Sequence, residues 1–233
     1  MGAENATIPC RFDQEHRMNS PPRPGGRPSR QQAAALDARL LDGARAAFGR
    51  KGIANTSLEE IATSLGISKH TLYRRHASKQ ALLDAVVERD MHAFREALLA
   101  ASVDGDTGDP LEALRRVAHR YVEIGSRREY AAFYLSVCAE AALSANLRHR
   151  LALWSERALE PLSKAIGAAQ EAGLLRAESP AEITGLLIDL LEGVNNRLRL
   201  APVEEDDGEV LTLLFDRRWA AFLAVTATDG ARA

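Results

Sequence analysis

The residues best suited to chemistry lie between Thr56 and Lys79, where cations and hydroxyl groups interrupt regularly spaced apolar residues. A buried helix face is indicated there by the i, i+3, i+4, i+7 spacing of Leu58, Ile61, Ala62 and Leu65. Gly66 suits the turn after this helix, and Ser68 suits the N-cap of a second, very short helix. Two helices joined in this way are typical of a helix-turn-helix, whose second helix enters the major groove of DNA.

The second helix of this pair is expected to present a polar face to its surroundings. Because Ile67 and Leu72 must point inward, a rotation of about 100° per residue directs His70 and Arg74 outward. Cationic and hydroxyl side chains of this kind bind guanine edges or phosphates. We therefore predict that the DNA-contacting residues are Thr56, Ser57, Ser68, Lys69, His70, Thr71, Tyr73, Arg74, Arg75 and Lys79.

The first helix of the pair has two possible capping boxes, Thr56 with Glu59 and Ser57 with Glu60. A helical hairpin with a merely solvated cationic face would also produce such a pattern. The coincidence of two caps, a glycine turn, an apolar brace and outward cations favours DNA binding over that alternative.

Apolar residues recur with helical spacing along the rest of the chain, and no segment alternates like a strand. The sequence therefore predicts an all-α fold. The predicted helices lie at about 32–50, 56–65, 68–76, 78–101, 110–125, 128–144, 146–172, 180–201 and 207–226. Pro161 falls inside the helix at 146–172 and is expected to kink it.

Charge is distributed unevenly along the 233 residues. Residues 1–80 contain 13 Lys and Arg against 7 Asp and Glu, whereas the remainder contains 17 against 25. This asymmetry favours a polyanion-binding module joined to an acidic body. Four arginines and no acid lie between Arg17 and Arg30, in a segment rich in Pro and Gly that we expect to be disordered. This segment is either a solvated tail or an arm that contacts DNA.

The sequence also restricts where the protein acts. No apolar run approaches the roughly 18–20 residues that a membrane span needs. Cys10 and Cys138 are far apart, and we expect both to be free thiols. These features predict a cytoplasmic protein with no membrane partner.

The segment from about residue 36 to residue 90 resembles the DNA-binding domain of the TetR/AcrR family of bacterial transcription regulators. The matching positions, in chain order, are Phe48 and Gly52, then Thr56, Ser57, Ile61 and Ala62, then Gly66, Ile67, Ser68, Thr71, Leu72 and Tyr73, and finally Ser78, Lys79 and Leu82. The family usually has Phe or a similar apolar residue where this chain has His76. His76 is expected to be either a half-buried ring in the same position or a pH-sensitive lock.

The resemblance implies a homodimer that binds a palindromic double-stranded DNA operator and a small-molecule effector, most often as a repressor. It implies that helices 180–201 and 207–226 form the dimer interface. We accordingly predict a basic arm at 1–31, a helix-turn-helix domain at 32–77, a connecting helix at 78–101, a ligand-binding and dimerisation domain at 102–226 and a tail at 227–233.

The resemblance implies that the effector cavity lies between the fifth and eighth helices, and the sequence does not specify the effector. Candidate lining residues are His119, Tyr121, Phe133, Tyr134, Cys138, Trp154 and Asn195. Ordinary core or surface packing is the alternative for each of them. The low aromatic content, 5% of the chain, argues against a broad aromatic cage for planar drugs, and an apolar or acyl-like effector is the working hypothesis.

Two other functional classes fit the sequence less well. An enzyme would need a catalytic carboxylate pair, a Cys/His cluster or a phosphate-binding glycine loop, and the sequence shows none of them. We therefore predict no catalytic residue, no metal site and no cofactor. A helical protein-interaction adaptor with a non-functional helix-turn-helix is the remaining alternative, and the intact outward cations argue against it.

Overall fold

The structure is a computed structural model that describes residues 29–104, 108–201 and 207–229. Within these ranges it contains ten α-helices and no strand, which confirms the all-α prediction. The helices are α1 (Arg30–Lys51), α2 (Leu58–Ser64), α3 (Lys69–Arg75), α4 (Lys79–Val103), α5 (Pro110–Gly125), α6 (Arg128–Leu143), α7 (Ala145–Ala158), α8 (Glu160–Glu171), α9 (Pro180–Leu200) and α10 (Asp207–Thr226). No described helix is long and apolar enough to cross a membrane.

The arginine-rich N-terminal segment lies almost wholly outside the described residues. Its last residues instead begin α1, two positions earlier than predicted. The Ser29 hydroxyl accepts a hydrogen bond from the backbone amide of Gln32, and the Gln32 side chain accepts one from the amide of Ser29. This capping box satisfies two amides at the helix start and so extends the helix to Arg30.

The single helix predicted over 146–172 is wrong. The structure has two helices there, α7 and α8, which meet at Leu159. Pro161 lies in the first turn of α8. Proline has no amide to donate and its ring clashes with the preceding turn of a helix, but neither matters at a helix start. The chain therefore ends one helix and begins another where a kink was expected.

Two groups of buried apolar residues stabilise the fold. The N-terminal cluster contains buried residues of α1 to the first half of α4, together with Phe133, Val137 and Ala141 of α6 and Leu147 of α7. The C-terminal cluster contains buried residues of the second half of α4 and of α5, α7, α8, α9 and α10. Helix α6 therefore packs directly against the domain predicted to bind DNA.

The contact between α1 and α6 is close enough to exclude a side chain. A Cβ atom at Gly49 would lie 3.3 Å from the backbone nitrogen of Phe133. Beside it, the Ser136 hydroxyl donates a hydrogen bond of 3.1 Å to the carbonyl oxygen of Phe48. These contacts fix α6 on the C-terminal end of α1.

The predicted tail at 227–233 begins as a docked segment. The amide of Thr228 donates to the carbonyl of Leu174 at 3.1 Å, and the amide of Arg176 donates to the carbonyl of Thr226 at 2.8 Å. Ala227 between them is buried. The described part of the C-terminus therefore closes the junction between α8 and α9, and residues 230–233 lie outside the described ranges.

Candidate nucleic-acid interface and ligand cavity

The start of α2 is fixed by the second of the two possible capping boxes. The Ser57 hydroxyl accepts from the amide of Glu60 at 3.1 Å, and the Glu60 carboxylate accepts from the amide of Ser57 at 3.2 Å. Thr56 is 2% exposed, and its hydroxyl donates to the carbonyl of Gly52 at 2.7 Å. The Thr56 side chain thus holds the turn before α2 and does not face solvent.

Helix α3 is held by one buried side chain and one cap. Leu72 is fully buried, and the Ser68 hydroxyl accepts from the amide of Thr71 at 3.1 Å. Gly66 reverses the chain before α3 with a φ of +65°, a conformation that L side chains rarely adopt. The helix therefore projects from the domain in one fixed orientation.

Four side chains of α3 are exposed and form what we call the recognition row: Lys69, His70, Tyr73 and Arg74. Their exposure agrees with the outward positions predicted from Ile67 and Leu72. Ser68 is exposed at the helix start and Thr71 is half-buried. The row offers two cations, an imidazole and a phenol, which suits base edges and phosphates.

Glu59 of α2 organises the recognition row and was not among the predicted site residues. The Tyr73 hydroxyl donates to its carboxylate at 3.0 Å, and the Lys69 ammonium lies 3.8 Å from the same oxygen. The pKa of the Glu59 carboxyl is lowered, first by its own backbone amide and then by the Tyr73 hydroxyl. Glu59 and Tyr73 are 14 residues apart and lie on different helices, so no sequence periodicity predicts their contact. The contact is seen only when α2 is packed against α3.

Two further predicted DNA contacts, Arg75 and Lys79, also have internal partners. Arg75 is only 16% exposed and pairs with Asp37 of α1. The Lys79 ammonium donates to the carbonyl of Ile53 at 2.9 Å and to that of Ala54 at 3.2 Å. Both cations join α3 or α4 to the rest of the domain, and their contact with DNA stays a prediction.

His76 is half-buried at the end of α3, as expected for a ring in an apolar position. Burial lowers the pKa of its imidazole. The Asp37 carboxylate favours the charged form and partly opposes this effect, while Arg75 adds to it. Protonation of His76 is therefore unfavourable in the folded domain.

A cavity of about 210 Å³ lies inside the C-terminal helices. Five helices line it, namely α4, α5, α6, α7 and α9. The aromatic members of its lining are Phe94, Tyr121, Tyr130 and Tyr134. The low aromatic content of the chain argued against a broad aromatic cage for planar drugs, yet the fold brings these four rings together from three different helices.

The charged members of the lining are one carboxylate and one guanidinium, those of Glu192 and Arg199, both on α9. Glu192 accepts hydrogen bonds from the Tyr121 hydroxyl at 2.8 Å and from the Asn195 amide at 2.7 Å. Arg199 donates to Glu192 at 3.2 Å and, through two nitrogens, to the carbonyl of Gly125 at 3.1 and 3.0 Å. This network links α5 to α9 at the edge of the cavity.

The predicted ligand-binding residues do not all lie at one site. Tyr121 and Tyr134 line the cavity, and Asn195 supports Glu192 behind it. Burial raises the pKa of the Cys138 thiol, which contacts the Tyr134 hydroxyl. Phe133 belongs to the N-terminal cluster, and Trp154 packs against that cluster. Phe133 also borders a very small space beside Tyr134.

His119 lies elsewhere, in an open cleft of about 890 Å³ between α4, α5 and α10. Its ring packs edge-on against Phe215 at 4.9 Å, and its Nδ1 lies 3.3 Å from a Glu123 oxygen. Neighbouring cations in this cleft are also paired, as Arg115 is with Asp216 at 2.7 Å. The smaller cavity is therefore the better candidate for an enclosed ligand.

Sequence reasoning missed Phe94, Tyr130, Glu192 and Arg199 as lining residues. A usable signal was present on α9, where Glu192, Asn195 and Arg199 follow the i, i+3, i+7 spacing of one helix face in a helix rich in leucine. The i, i+4 pair of Tyr130 and Tyr134 on α6 is a second such signal. Within the described ranges, no group of three or more His, Cys, Asp or Glu side chains is placed to bind a metal ion.

Comparison with known proteins agrees with this architecture. Residues 40–86 match the family described as bacterial regulatory proteins, tetR family. The HTH-type transcriptional regulator TtgR of Pseudomonas putida is 29% identical over 91 residues, which are 39% of this chain and 43% of that protein. The alignment therefore spans less than half of that relative. The HTH-type transcriptional regulator UidR of Escherichia coli is 27% identical over 185 residues, or 76% of this chain and 85% of that one.

Solved structures show the same fold beyond the DNA-binding domain. A putative TetR-family transcriptional regulator from Mesorhizobium loti superposes with a TM-score of 0.70 at 24% identity and covers 84% of this chain and 99% of its own. The structure of a SmeT–triclosan complex superposes with a TM-score of 0.67 at 25% identity and covers 84% of this chain and 94% of its own. The resemblance noted in the sequence is thus confirmed, and the curated relatives are named as transcriptional regulators. Residues 40–86 therefore match the tetR family of bacterial regulatory proteins, and the fold of the described chain is similar to that of solved TetR-family structures.

Proposed function

We propose that the protein is a homodimeric repressor that binds a palindromic operator through α3 and is released by a small-molecule effector. The observation that carries this proposal is the recognition row, because four exposed polar side chains are presented by a helix whose opposite face is fixed by Leu72. Lys69, His70 and Arg74 would contact base edges, and Tyr73 a phosphate. Such a protein acts in the cytoplasm, where the operator is.

Dimerisation through α9 and α10 supplies the second recognition helix. These two helices pack against each other, yet large apolar side chains of α10 remain exposed, with Leu213 at 52% and Val225 at 54%. Burial of such residues against a second copy would stabilise a dimer. Two copies of α3 about 34–36 Å apart would then reach successive major grooves.

The proposed effector site is the cavity of about 210 Å³. Its wall includes Phe94 of α4 and Tyr130 of α6, and both helices also contribute to the N-terminal cluster. A ligand that moves either helix would therefore displace the DNA-binding domain of one protomer relative to the other. SmeT, which shares this fold, forms a complex with triclosan, and this supports a small-molecule site here.

A mobility-shift titration on the promoter of the protein's own gene tests the proposal. The wild type should shift this DNA as a dimer, with an affinity that falls steeply as salt rises, because phosphate contacts release counterions. The double substitution Lys69→Ala with Arg74→Ala should abolish the shift. The charge-matched control, Lys164→Ala with Arg157→Ala, removes exposed cations of α8 and α7 and should leave it intact.

The outcome is decisive in either direction. A control variant that loses binding as fully as the α3 variant would show that net charge alone governs the interaction. Failure of the wild type to shift its own promoter or neighbouring promoters at low salt, or a monomeric mass in solution, would refute the proposed function.

A further inference from the structure

We propose that the cavity selects an organic ammonium cation. This proposal rests on the proposed function, because it assigns a chemical class to the ligand of the same effector site. Its basis is the convergence of four aromatic rings and one carboxylate on a space of about 210 Å³, large enough for a small alkylammonium head group.

The rings form a continuous aromatic wall. The Phe94 ring lies 5.6 Å from that of Tyr121, edge to face, and 5.9 Å from that of Tyr130. Tyr130 in turn stacks on Tyr134 at 6.2 Å. Three of the chain's four tyrosines therefore meet at one site. Electron-rich ring faces at this spacing attract cations, and such walls recognise quaternary ammonium groups.

The tyrosines present neutral rings. Burial raises the pKa of the Tyr121, Tyr130 and Tyr134 hydroxyls above the ordinary value. At physiological pH none of the three supplies a charge of its own. The wall is consequently uncharged, and Glu192 is the one acid among the described residues that line the cavity.

The charges at the cavity disfavour an anionic ligand. The Arg199 side chain is only 6% exposed, and its donors go to Glu192, to Asn196 and to the carbonyl of Gly125. Its guanidinium carbon also lies 5.6 Å from the centre of the Tyr134 ring. An anion would have to take Arg199 from Glu192 and would then lie beside the uncompensated Glu192 carboxylate.

A neutral ligand is disfavoured for a related reason. The Glu192 side chain is 27% exposed and borders the cavity. An apolar ligand that displaced water from this carboxylate would remove hydration without replacing it. A cation offsets that loss and gains the attraction of the aromatic wall as well.

Calorimetric titration of the full-length wild type distinguishes these classes. The probes are tetramethylammonium, tert-butanol as a neutral analogue of similar shape, and trimethylacetate as an anionic one. Potassium chloride keeps the ionic strength constant and supplies a hydrated cation that lacks methyl groups. Tetramethylammonium should bind about tenfold more tightly than tert-butanol, and trimethylacetate most weakly.

Substitutions in the wall test the assignment residue by residue. Tyr130→Leu should weaken tetramethylammonium binding about tenfold, whereas Tyr130→Phe, which keeps the ring, should change it less than about twofold. Glu192→Gln should weaken binding of tetramethylammonium without weakening that of tert-butanol. Thermal melting and an operator shift of each variant confirm that it is folded.

Three results would overturn the assignment: equal or tighter binding of tert-butanol, tighter binding of trimethylacetate, or unchanged tetramethylammonium binding in Tyr130→Leu. Absence of binding by every probe, in a protein that still shifts its operator, would reject the ammonium site and leave operator binding standing. A protein that binds tetramethylammonium but shifts no promoter would instead reject the proposed function alone.

Discussion

Helix α3 carries its functional groups on seven consecutive residues, whereas the cavity collects its lining from α4, α5, α6, α7 and α9. The recognition row is exposed and is aimed by one buried neighbour, Leu72. The groups around the cavity are mostly half-buried and are held in place by one another, as Tyr121 and Asn195 are through Glu192. A substitution in the recognition row can therefore change one contact without disturbing the core. A substitution in the cavity lining also changes the packing between helices.

The largest expected effect is that of a substitution at Leu72, the buried residue that fixes the orientation of α3. Leu72→Ala should lower the free energy of unfolding by about 2–5 kcal/mol, because it removes a fully buried side chain from the N-terminal cluster. Tyr73→Ala, at the next position and 43% exposed, should change stability by less than about 0.5 kcal/mol and weaken operator binding. Urea unfolding at fixed protein concentration, with a mobility shift beside it, measures both. Equal stability losses would show that the two sides of α3 are not distinct.

A second substitution tests the coupling of the cavity to the core. A Cβ atom at Gly125 would lie 2.4 Å from the Asn195 amide nitrogen, and Asn195 is fully buried. Gly125→Ala should therefore cost about 1–3 kcal/mol of stability through overpacking and weaken ligand binding. Gly167→Ala on α8 is the control, because nothing lies within 4 Å of its Cβ position. That variant should be neutral or more stable by up to about 1 kcal/mol, since alanine favours helix. A destabilised control would remove the steric explanation.

Two adjacent arginines sharpen the distinction within α3 itself. Arg74→Ala should weaken operator binding by about 1–3 kcal/mol and leave stability unchanged, because Arg74 is exposed. Arg75→Ala should instead lower stability by about 1–3 kcal/mol, because it breaks the pair with Asp37. Measured side by side, Arg74→Ala should show the larger loss of operator affinity and Arg75→Ala the larger loss of stability. An Arg75 variant that is stable but fails to bind DNA would place Arg75 at the interface after all.

The smallest effect is a dependence of stability on pH that arises from His76. Since burial lowers the pKa of this imidazole, the unfolded chain takes up a proton near pH 6.5 that the folded chain resists. The contribution of His76 to stability is therefore complete above about pH 6.5 and declines as the pH falls below it. His76→Phe should reduce this decline, as shown by urea unfolding at pH 5.5 and 7.5. An unaltered pH profile would exclude His76 as its source.

The same contrast explains which features could be predicted from the sequence. The first residues of α2, α3 and α4 follow from the N-caps Ser57, Ser68 and Ser78. The helix-turn-helix and its exposed row were therefore predicted within a few residues. The break at Leu159 could not be predicted, because Pro161 is compatible both with one kinked helix and with two separate helices. Glu59 and the aromatic wall required the packing of separate helices, because residues such as Phe94 and Tyr130 are distant in the chain.

The contact of α6 with α1 limits how this protein can diverge. Tyr130 and Tyr134 line the cavity from the same helix that contributes Phe133 and Val137 to the N-terminal cluster. On the proposed function, a substitution that adapts the cavity to a different effector would shift that helix and so alter the affinity for DNA in the same step. A change of effector specificity, whether in evolution or in a laboratory biosensor, would then require compensating changes on the facing side of α1.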